Sequence, residues 1–504
     1  MICVLQFDAA SVALVERMLA EGELPELAAL RERGRHTVLD TPAVDFAAGA
    51  FYTLYSGREL GDHGLFYPFQ WSAAEQRARY ARAFDAPAPV WELLARAGLR
   101  TLAVDPYESR PPGEWRAEWG TLACGVGFRD RVVLPRWAAP AEAGRRVPPG
   151  PQATEIFGRP TTRELLGLKA KLVAAPGRVA DAALRLMGEE RYDLAWLTFS
   201  AAHLAGHQFW DLSQLGDEPP ARERAELESA LREVYRAVDR AIGRVVRALR
   251  EDDDVIVTSA VGMDVNTSRA DLLPGMLAAV LRGGPLPEDD AAGWIWRLRA
   301  ALPTRWRGAI ANAIPDRLAL ELTARLELRG LDWSATRAFA HPADNQGYIR
   351  LNLRGRERDG IVDPAEAEAL CAEIESGLRT FRDPDGEPAV AEVVRVADLY
   401  PGERADRLPD LSVRWSERPA TRLDRLVSDR FGEVRRAGTG SGRSGNHTAG
   451  DAWAVLAPGA SRLREPSRPA RLVDVAATVA AVLGVDDAAL PGEPAYMVKM
   501  RVED

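Results

Sequence analysis

Residues 193–210 read DLAWLTFSAAHLAGHQFW and contain the transition that decides the fold. Residues 193–199 form an apolar run of the length of a buried strand, and residues 200–210 have the spacing of a helix. Strands of the same kind are predicted at residues 2–7 and 254–259. Strands that alternate with helices indicate a mostly parallel sheet, in which ligand sites lie beyond the carboxyl ends of the strands. We therefore expect the chemistry directly after these three strands.

The composition of the whole chain is that of a globular protein. It has 504 residues, of which 46% are hydrophobic and 28% charged, which excludes disorder as the main state. The net charge of -9 argues against a nucleic-acid polymer as partner, and 3 cysteines are too few for a disulfide framework. Because no apolar stretch reaches the roughly 18 residues of a membrane helix and the N-terminus lacks a signal pattern, we expect a cytoplasmic protein without a membrane partner. The oligomeric state stays open.

The chain is predicted to divide into three parts. Residues 1–267 form the first part of an α/β core, and residues 332–504 complete it. Residues 268–331 are rich in Trp and Arg and are broken by Pro and Gly, with short amphipathic helices predicted at 291–302 and 315–328. We expect this middle part to be an inserted helical cap, which either packs on the core or covers a substrate.

Three of the 6 histidines are candidate metal ligands. His203 and His207 follow a predicted strand and lie four residues apart, so they share one face of a helix and can reach one ion. His447 lies in a loop rich in Gly, Ser and Arg, far along the chain. A pair of histidines at this spacing is common without a metal, so the assignment depends on the rest of the sequence.

A series of short motifs runs through nearly the whole chain. In order, they are LQFDAAS at 5–11, GELPEL at 22–27, SGR at 56–58, GDHG at 61–64, VWELL at 90–94, FS at 199–200, HQFW at 207–210, DWSAT at 332–336, NLRGRE at 352–357, GIV at 360–362, PDL at 409–411 and VD at 473–474. This ordered series resembles the type I phosphodiesterase and nucleotide pyrophosphatase branch of the alkaline phosphatase superfamily.

The resemblance implies an alkaline-phosphatase-like α/β fold, with a mostly parallel central sheet, helices on both faces and an inserted cap. It also implies two metal ions, usually zinc, and a Thr or Ser nucleophile. Two cations clamp the attacking and leaving oxygens of an in-line displacement and neutralise the transferred group. One of the two sites is implied to consist of His203, His207 and His447, with His203 standing where the family has Asp.

The other implied site has lost most of its residues. Asp8 matches the family's first-strand Asp, but Ala47 stands at the position of the nucleophile. Ala260 and Val261 stand where the family has an Asp-His pair. One carboxylate is too few for a second zinc ion. Asp8 and Asp45 remain candidate catalytic carboxylates, for example as general bases.

These residues predict a metal-dependent enzyme that acts on a small anionic phosphoester or related ester through one metal-activated water. The expected cofactor is one divalent ion, zinc first, with iron or copper as alternatives. Arg443 and Asn446 are candidate substrate-binding residues, because a guanidinium matches the geometry of phosphate or carboxylate. Two other functions stay open. One is lyase or oxidative chemistry at the same tri-histidine site, and the other is a catalytically inactive pseudoenzyme that binds a ligand or partner.

Overall fold

A computed structural model describes residues 1–286, 320–321, 328, 331–343, 345–438, 440–447, 450–464, 467–486, 490–494 and 497–499. Its strands are β1 (Ile2–Gln6), β2 (Arg35–Leu39), β3 (Phe69–Ser72), β4 (Arg77–Tyr80), β5 (Thr101–Val104), β6 (Gly120–Cys124), β7 (Trp137–Ala139), β8 (Leu194–Thr198), β9 (Asp254–Ser259), β10 (Asp264–Val265), β11 (Ala338–His341), β12 (Gly347–Leu351), β13 (Val390–Arg395), β14 (Leu411–Trp415), β15 (Arg425–Ser428), β16 (Gly432–Arg435), β17 (Gly445–Asn446), β18 (Ala452–Ala457), β19 (Ser461–Leu463) and β20 (Met497–Lys499).

The α-helices follow the apolar periodicity of the sequence. They are α1 (Val12–Ala20), α2 (Pro25–Glu32), α3 (Ala47–Ser56), α4 (Leu60–His63), α5 (Val90–Arg96), α6 (Ala143–Arg146), α7 (Thr162–Glu189), α8 (Ala201–Phe209), α9 (Ala221–Glu228), α10 (Ala230–Val246), α11 (Leu273–Arg282), α12 (Ala367–Leu378), α13 (Val396–Leu399) and α14 (Val473–Val482). Short 3-10 helices lie at Pro42–Val44, Ala81–Ala83, Ala117–Trp119, Pro364–Glu366 and Ala405–Arg407.

An eight-stranded sheet forms the centre, in the order β2-β18-β9-β1-β8-β5-β6-β7. Every strand runs parallel to β1 except β18 and β7. In the middle of the sheet, Leu5 of β1 lies between Leu197 of β8 and Val257 of β9. All five residues of β1 are buried, as expected of a strand covered on both faces. The predicted fold class is confirmed.

The helices pack around this sheet in two groups that share its hydrophobic core. One group contains α2, α7, α8 and α10, and the other contains α3, α5 and α14. Local signals set their ends. The Thr161 hydroxyl accepts a hydrogen bond from the Glu164 backbone N–H, and the Glu164 carboxylate accepts one from the Thr161 N–H, which forms a capping box at the start of α7.

A second hydrophobic cluster covers residues between 272 and 434. Its centre is the antiparallel sheet β11-β12-β14-β13, with α11 packed on α12 and on β11. The predicted cap spans residues 268–331, and its first helix, α11, belongs to this second cluster. The predicted helices at 291–302 and 315–328 lie mostly or wholly outside the described residues. The division of the chain at 267 and 331 stays a prediction.

None of the helices within the described ranges is long and apolar enough to cross a membrane. The predicted cytoplasmic location stays a prediction.

Candidate metal centre

The candidate site lies at the carboxyl ends of three adjacent strands, β9, β1 and β8. Asp8 follows β1, helix α8 follows β8, and residues 260–262 follow β9. This is the edge of the sheet at which an open α/β fold places its ligands. The location confirms the expectation that the segments after these strands come together.

Helix α8 carries His203 and His207 one turn apart and buries both. Its sequence AAHLAGHQF is rich in residues of high helix propensity, and every residue of the helix is buried. A helix buried on all sides holds its side chains in few rotamers. The imidazole ring centroids lie 5.1 Å apart, so the i, i+4 spacing brings the two rings together as the sequence predicts.

The loop that carries His447 is fixed to the end of α8. The Ser444 backbone N–H donates to the His207 carbonyl oxygen at 2.9 Å, and the Ser444 hydroxyl accepts from the Trp210 N–H at 3.1 Å. At Gly445 the two backbones approach so closely that a Cβ atom would lie 2.3 Å from the Gly206 carbonyl oxygen. Glycine is therefore required there, and this contact brings His447 against the two helix histidines.

The Nδ1 atom of each of the three imidazoles makes a hydrogen bond to an oxygen acceptor. His207 Nδ1–H donates to the Gly445 carbonyl oxygen at 3.1 Å, and His447 Nδ1–H donates to the Gly262 carbonyl oxygen at 2.9 Å. His203 Nδ1–H donates to the Asp8 carboxylate at 3.2 Å. A carbonyl oxygen can only accept a hydrogen bond. The neutral rings of His207 and His447 must therefore each carry their proton on Nδ1. This leaves the Nε2 lone pairs without protons.

The three histidines form the one cluster of at least three His, Cys, Asp or Glu side chains with metal-ligand spacing in the described part of the chain. Their candidate ligand atoms lie within 4.8 Å of one another, and the Nε2 atoms of His203 and His447 are 2.9 Å apart. Burial, followed by nearby positive charges, holds the pKa of His207 well below its usual value, and burial does the same to the pKa of His447. Both rings are thus neutral at pH 7.

The Nε2 atoms of His203 and His447 face each other at 2.9 Å. Because His447 Nε2 carries no proton, this contact needs either a proton on His203 Nε2 or a cation between the two rings. The environment of Asp8 agrees with a cation. Its side chain is fully buried, and its Oδ1 atom has no hydrogen-bond partner among the described residues. A buried carboxylate without enough donors is costly unless a positive charge compensates it. The donor set of the three histidines therefore fits a divalent transition-metal ion.

The second site implied by the sequence lacks ligand atoms. Ala47 begins α3 and is buried, and Ala260 and Val261 follow β9 with no exposed surface. The backbone oxygen of Ala260 accepts a hydrogen bond from the Thr41 hydroxyl, which shows that this segment serves in packing. Asp8 contacts His203 instead of sharing a site with other carboxylates. Its predicted catalytic role stays a prediction.

Asp45, predicted as a catalytic carboxylate, is held in a different set of contacts. Its two oxygens accept from Arg414 at 3.0 and 2.7 Å, from the Ser412 hydroxyl at 2.9 Å and from the Tyr400 hydroxyl at 2.7 Å. Asp45 joins the segment before α3 to β14, across the two hydrophobic clusters. Both carboxylate oxygens are used in these contacts, and the predicted catalytic role of Asp45 stays a prediction.

The predicted substrate-binding residues lie beside the histidines. Arg443 faces Glu155, donating from Nε at 2.7 Å and from Nη2 at 2.8 Å. Its Nη1 atom is 3.4 Å from the Asn446 Oδ1 atom, which also accepts the His447 backbone N–H. Asn446 thus supports the loop of His447. An anionic substrate would have to compete with Glu155 for Arg443.

Two residues of the site were not predicted from the sequence. Glu155 Oε1 lies 4.0 Å from His207 Nε2. The Tyr107 hydroxyl lies 3.5 Å from His203 Nε2, and the two rings are 4.4 Å apart. Tyr107 comes two residues after Asp105, at the end of β5, so the pattern of polar residues at strand ends was a usable signal for it. Glu155 lies in an irregular segment and had no such signal.

Comparison with known proteins agrees with this architecture. The chain is similar to phosphonoacetate hydrolase from Sinorhizobium meliloti 1021 in complex with phosphonoformate, at 14% identity and a TM-score of 0.50, over 96% of this chain and 95% of that chain. Murine and human ectonucleotide pyrophosphatase/phosphodiesterase 5 align at 13% and 11% identity, each with a TM-score of 0.46, over 98% of this chain and 96% and 97% of those chains.

At 14% identity the match to phosphonoacetate hydrolase establishes the fold alone. No curated protein sequence matches the chain significantly. The sequence model of the type I phosphodiesterase / nucleotide pyrophosphatase family matches residues 2–421, which is most of the chain. The chain therefore belongs to the type I phosphodiesterase / nucleotide pyrophosphatase family.

Proposed function

We propose that the protein is a hydrolase of small anionic phosphoesters that works with one divalent metal ion, bound by His203, His207 and His447. The observation that carries the proposal is the shared arrangement of the three buried imidazoles. Each one gives Nδ1–H to a fixed oxygen and turns Nε2 toward the other two. Outer hydrogen bonds of this kind orient metal-binding histidines and raise their basicity. Zinc is the first choice of ion because it suits imidazole ligands and needs no redox partner.

A bound divalent cation supplies a Lewis acid that polarises the phosphoryl oxygen and makes water acidic. The chain's own residues set up this chemistry. Three neutral imidazoles leave the charge of the ion undiminished, which favours an anionic substrate. Asp8 holds the ring of His203, and the carbonyl oxygens of Gly445 and Gly262 hold the other two rings. Arg443 adds a guanidinium beside the site, at present paired with Glu155.

The attacking group in this proposal is water. Ala47, at the nucleophile position implied by the family, has no hydroxyl or thiol, so it cannot form a covalent phosphoryl intermediate. The positions of Ala260 and Val261 hold no ligand for a second cation. Charge on the transferred group must therefore be neutralised by one ion together with Arg443.

Lyase or oxidative chemistry is a second candidate function, favoured by one observation. Three nitrogen donors without an Asp ligand also suit iron or copper, which carry redox chemistry in such sites. The metal content of the purified protein separates the candidates. Zinc supports hydrolysis or a lyase reaction, iron or copper supports oxidative chemistry, and a chain that binds no metal supports a pseudoenzyme.

The test is an assay of an aryl phosphodiester and an aryl phosphomonoester with the zinc-loaded protein. The variant H207A removes one proposed ligand from the last turn of α8 and is expected to lower turnover at least about 100-fold. The matched control is H36A, which removes a partly exposed histidine of β2 and is expected to keep wild-type activity. Equal activity of H207A and the wild type would refute hydrolysis at this site.

A further inference from the structure

Glu155 lies in a segment that is packed directly on the loop of His447. The Ile156 backbone N–H donates to the Gln208 side-chain oxygen at 3.3 Å, next to His207 on α8. Gly442, with a φ angle of +82°, approaches this segment so closely that a Cβ atom would be 2.6 Å from the Ile156 carbonyl oxygen. These two contacts of the next residue, Ile156, hold the segment of Glu155 beside α8 and the loop of His447.

Arg443 fixes the plane of this carboxylate. Its Nε and Nη2 atoms donate to the two oxygens of Glu155 at 2.7 and 2.8 Å, in the bidentate geometry that gives the strongest guanidinium pairs. Each carboxylate oxygen has two lone pairs, so the Oε1 atom keeps one after it accepts from Arg443. The Glu155 side chain is 17% exposed, which limits how far it can turn away.

The Oε1 atom of Glu155 faces the ligand side of His207. It lies 4.0 Å from Nε2, the ring nitrogen that the Nδ1 hydrogen bond to Gly445 leaves available as a ligand. Glu155 Oε1 and His207 Nε2 are not joined by a hydrogen bond, because the ring proton of His207 is on Nδ1 and is donated to the Gly445 carbonyl oxygen. Two acceptors therefore point toward the same space. The spacing of 4.0 Å is within the 4.8 Å over which the candidate ligand atoms of the three histidines are spread. A small shift of these side chains would bring all four groups to the roughly 2.0–2.2 Å at which zinc binds nitrogen and oxygen.

We propose that Glu155, oriented by Arg443, is the fourth protein ligand of the metal ion held by His203, His207 and His447. The inference rests on the proposed function for the existence of the ion, and it adds a carboxylate to a site otherwise made of neutral nitrogens. It also assigns Arg443 a second task. An anionic substrate that pairs with Arg443 releases Glu155 and opens a coordination position, so the guanidinium couples substrate binding to the opening of the site.

Cobalt(II) tests this ligand without any need for activity, because its visible spectrum depends on the number and type of ligands. The full chain is freed of metal with a chelator and titrated with cobalt(II), in the wild type and in E155Q. We expect E155Q to bind cobalt(II) at least about 10-fold more weakly and to show changed positions and intensities of the visible bands. An unchanged dissociation constant and spectrum would overturn the proposal.

Two further variants separate a ligand from a structural pair. R443Q removes the ion pair but keeps the carboxylate, so it should retain the wild-type cobalt spectrum and lose less affinity than E155Q. Equal losses of cobalt(II) affinity in R443Q and E155Q would overturn the proposal. Glu155 would then affect the metal only by holding the loop of His447 through its pair with Arg443. E375Q, which breaks an exposed Glu–Arg pair on α12, should match the wild type. Thermal unfolding of each metal-free variant checks that it is folded.

Failure of the proposed function gives a different pattern. If neither the wild type nor H207A binds cobalt(II), the proposed tri-histidine site is refuted, and the proposal for Glu155 is refuted with it. A wild-type chain that binds one cobalt(II) ion with a spectrum unaffected by E155Q removes only the role of Glu155.

Discussion

At the scale of single residues, the pairing of Asp8 with His203 marks how the site differs from the one implied by the family resemblance. His203 occupies the position of an Asp ligand, and Asp8, a ligand of the lost second site, accepts the Nδ1–H of His203 at 3.2 Å. A carboxylate that holds a histidine in this way resembles the outer hydrogen bond of many metal-binding imidazoles. In the proposed site, residues that the resemblance assigns to two ion sites would together serve one.

The variant D8A tests this supporting role. Without the carboxylate, the ring of His203 loses its Nδ1 acceptor, and metal affinity is expected to fall about 10- to 100-fold. D8N keeps an oxygen acceptor but not the charge, so its loss should be smaller. Zinc affinity measured by competition with a chromophoric chelator gives the comparison.

The control for this series is D105N. Asp105 is a buried carboxylate at the end of the neighbouring strand β5, where its oxygens accept from the backbone N–H groups of Val126 and Gly127 at 2.8 and 2.7 Å. The folded D105N protein should bind zinc like the wild type. A zinc affinity of D8A as high as that of D105N would contradict the supporting role of Asp8.

At the scale of elements, the strands of the central sheet were predictable because their signal is local. The runs at 2–7, 193–199 and 254–259 match β1, β8 and β9 to within one residue at each end. Parallel strands buried on both faces are continuous apolar runs, and the residues that follow them meet at one edge of the sheet. This local pattern places Asp8 directly after β1 and α8 directly after β8, as the structure has them.

The parts of the site that depend on distant loops were not predictable in the same way. His447 was placed only through the family resemblance, since nothing near it in sequence indicates that its loop packs on α8. Glu155 was missed because its contact with Arg443 joins residues that are 288 positions apart. Asp45 was proposed as catalytic because it lies near Ala47 in sequence, whereas its contacts with Arg414 arise between segments 369 positions apart.

The link between the segment of Asp45 and strand β14 predicts a large effect on stability. R414A leaves the fully buried Asp45 carboxylate without its guanidinium. Removing one partner of such a pair typically lowers the free energy of unfolding by about 3 kcal/mol. R354A removes an exposed pair in which the atoms are 3.5 Å apart and should cost less than about 1 kcal/mol. Urea denaturation measures the free energy of unfolding of both variants. Equal losses in R414A and R354A would contradict a stabilising link between Asp45 and β14.

At the scale of the whole molecule, the chain combines a complete family fold with half of the family's implied metal ligands. The eight-stranded sheet and its helices are intact, and the described residues contain one group of three side chains with metal-ligand spacing. The positions of the second site are filled by Ala47, Ala260 and Val261. The central claim is therefore that the protein binds one transition-metal ion per chain, where the family resemblance implies two.

The most direct test of this claim is the metal content of the purified full chain, measured by elemental mass spectrometry after dialysis against excess zinc and removal of free metal. The wild type should contain one ion per chain, and H203A, H207A and H447A should each contain much less. A wild-type protein with two ions per chain, or with none, would contradict the account, as would single-histidine variants that keep a full complement of metal.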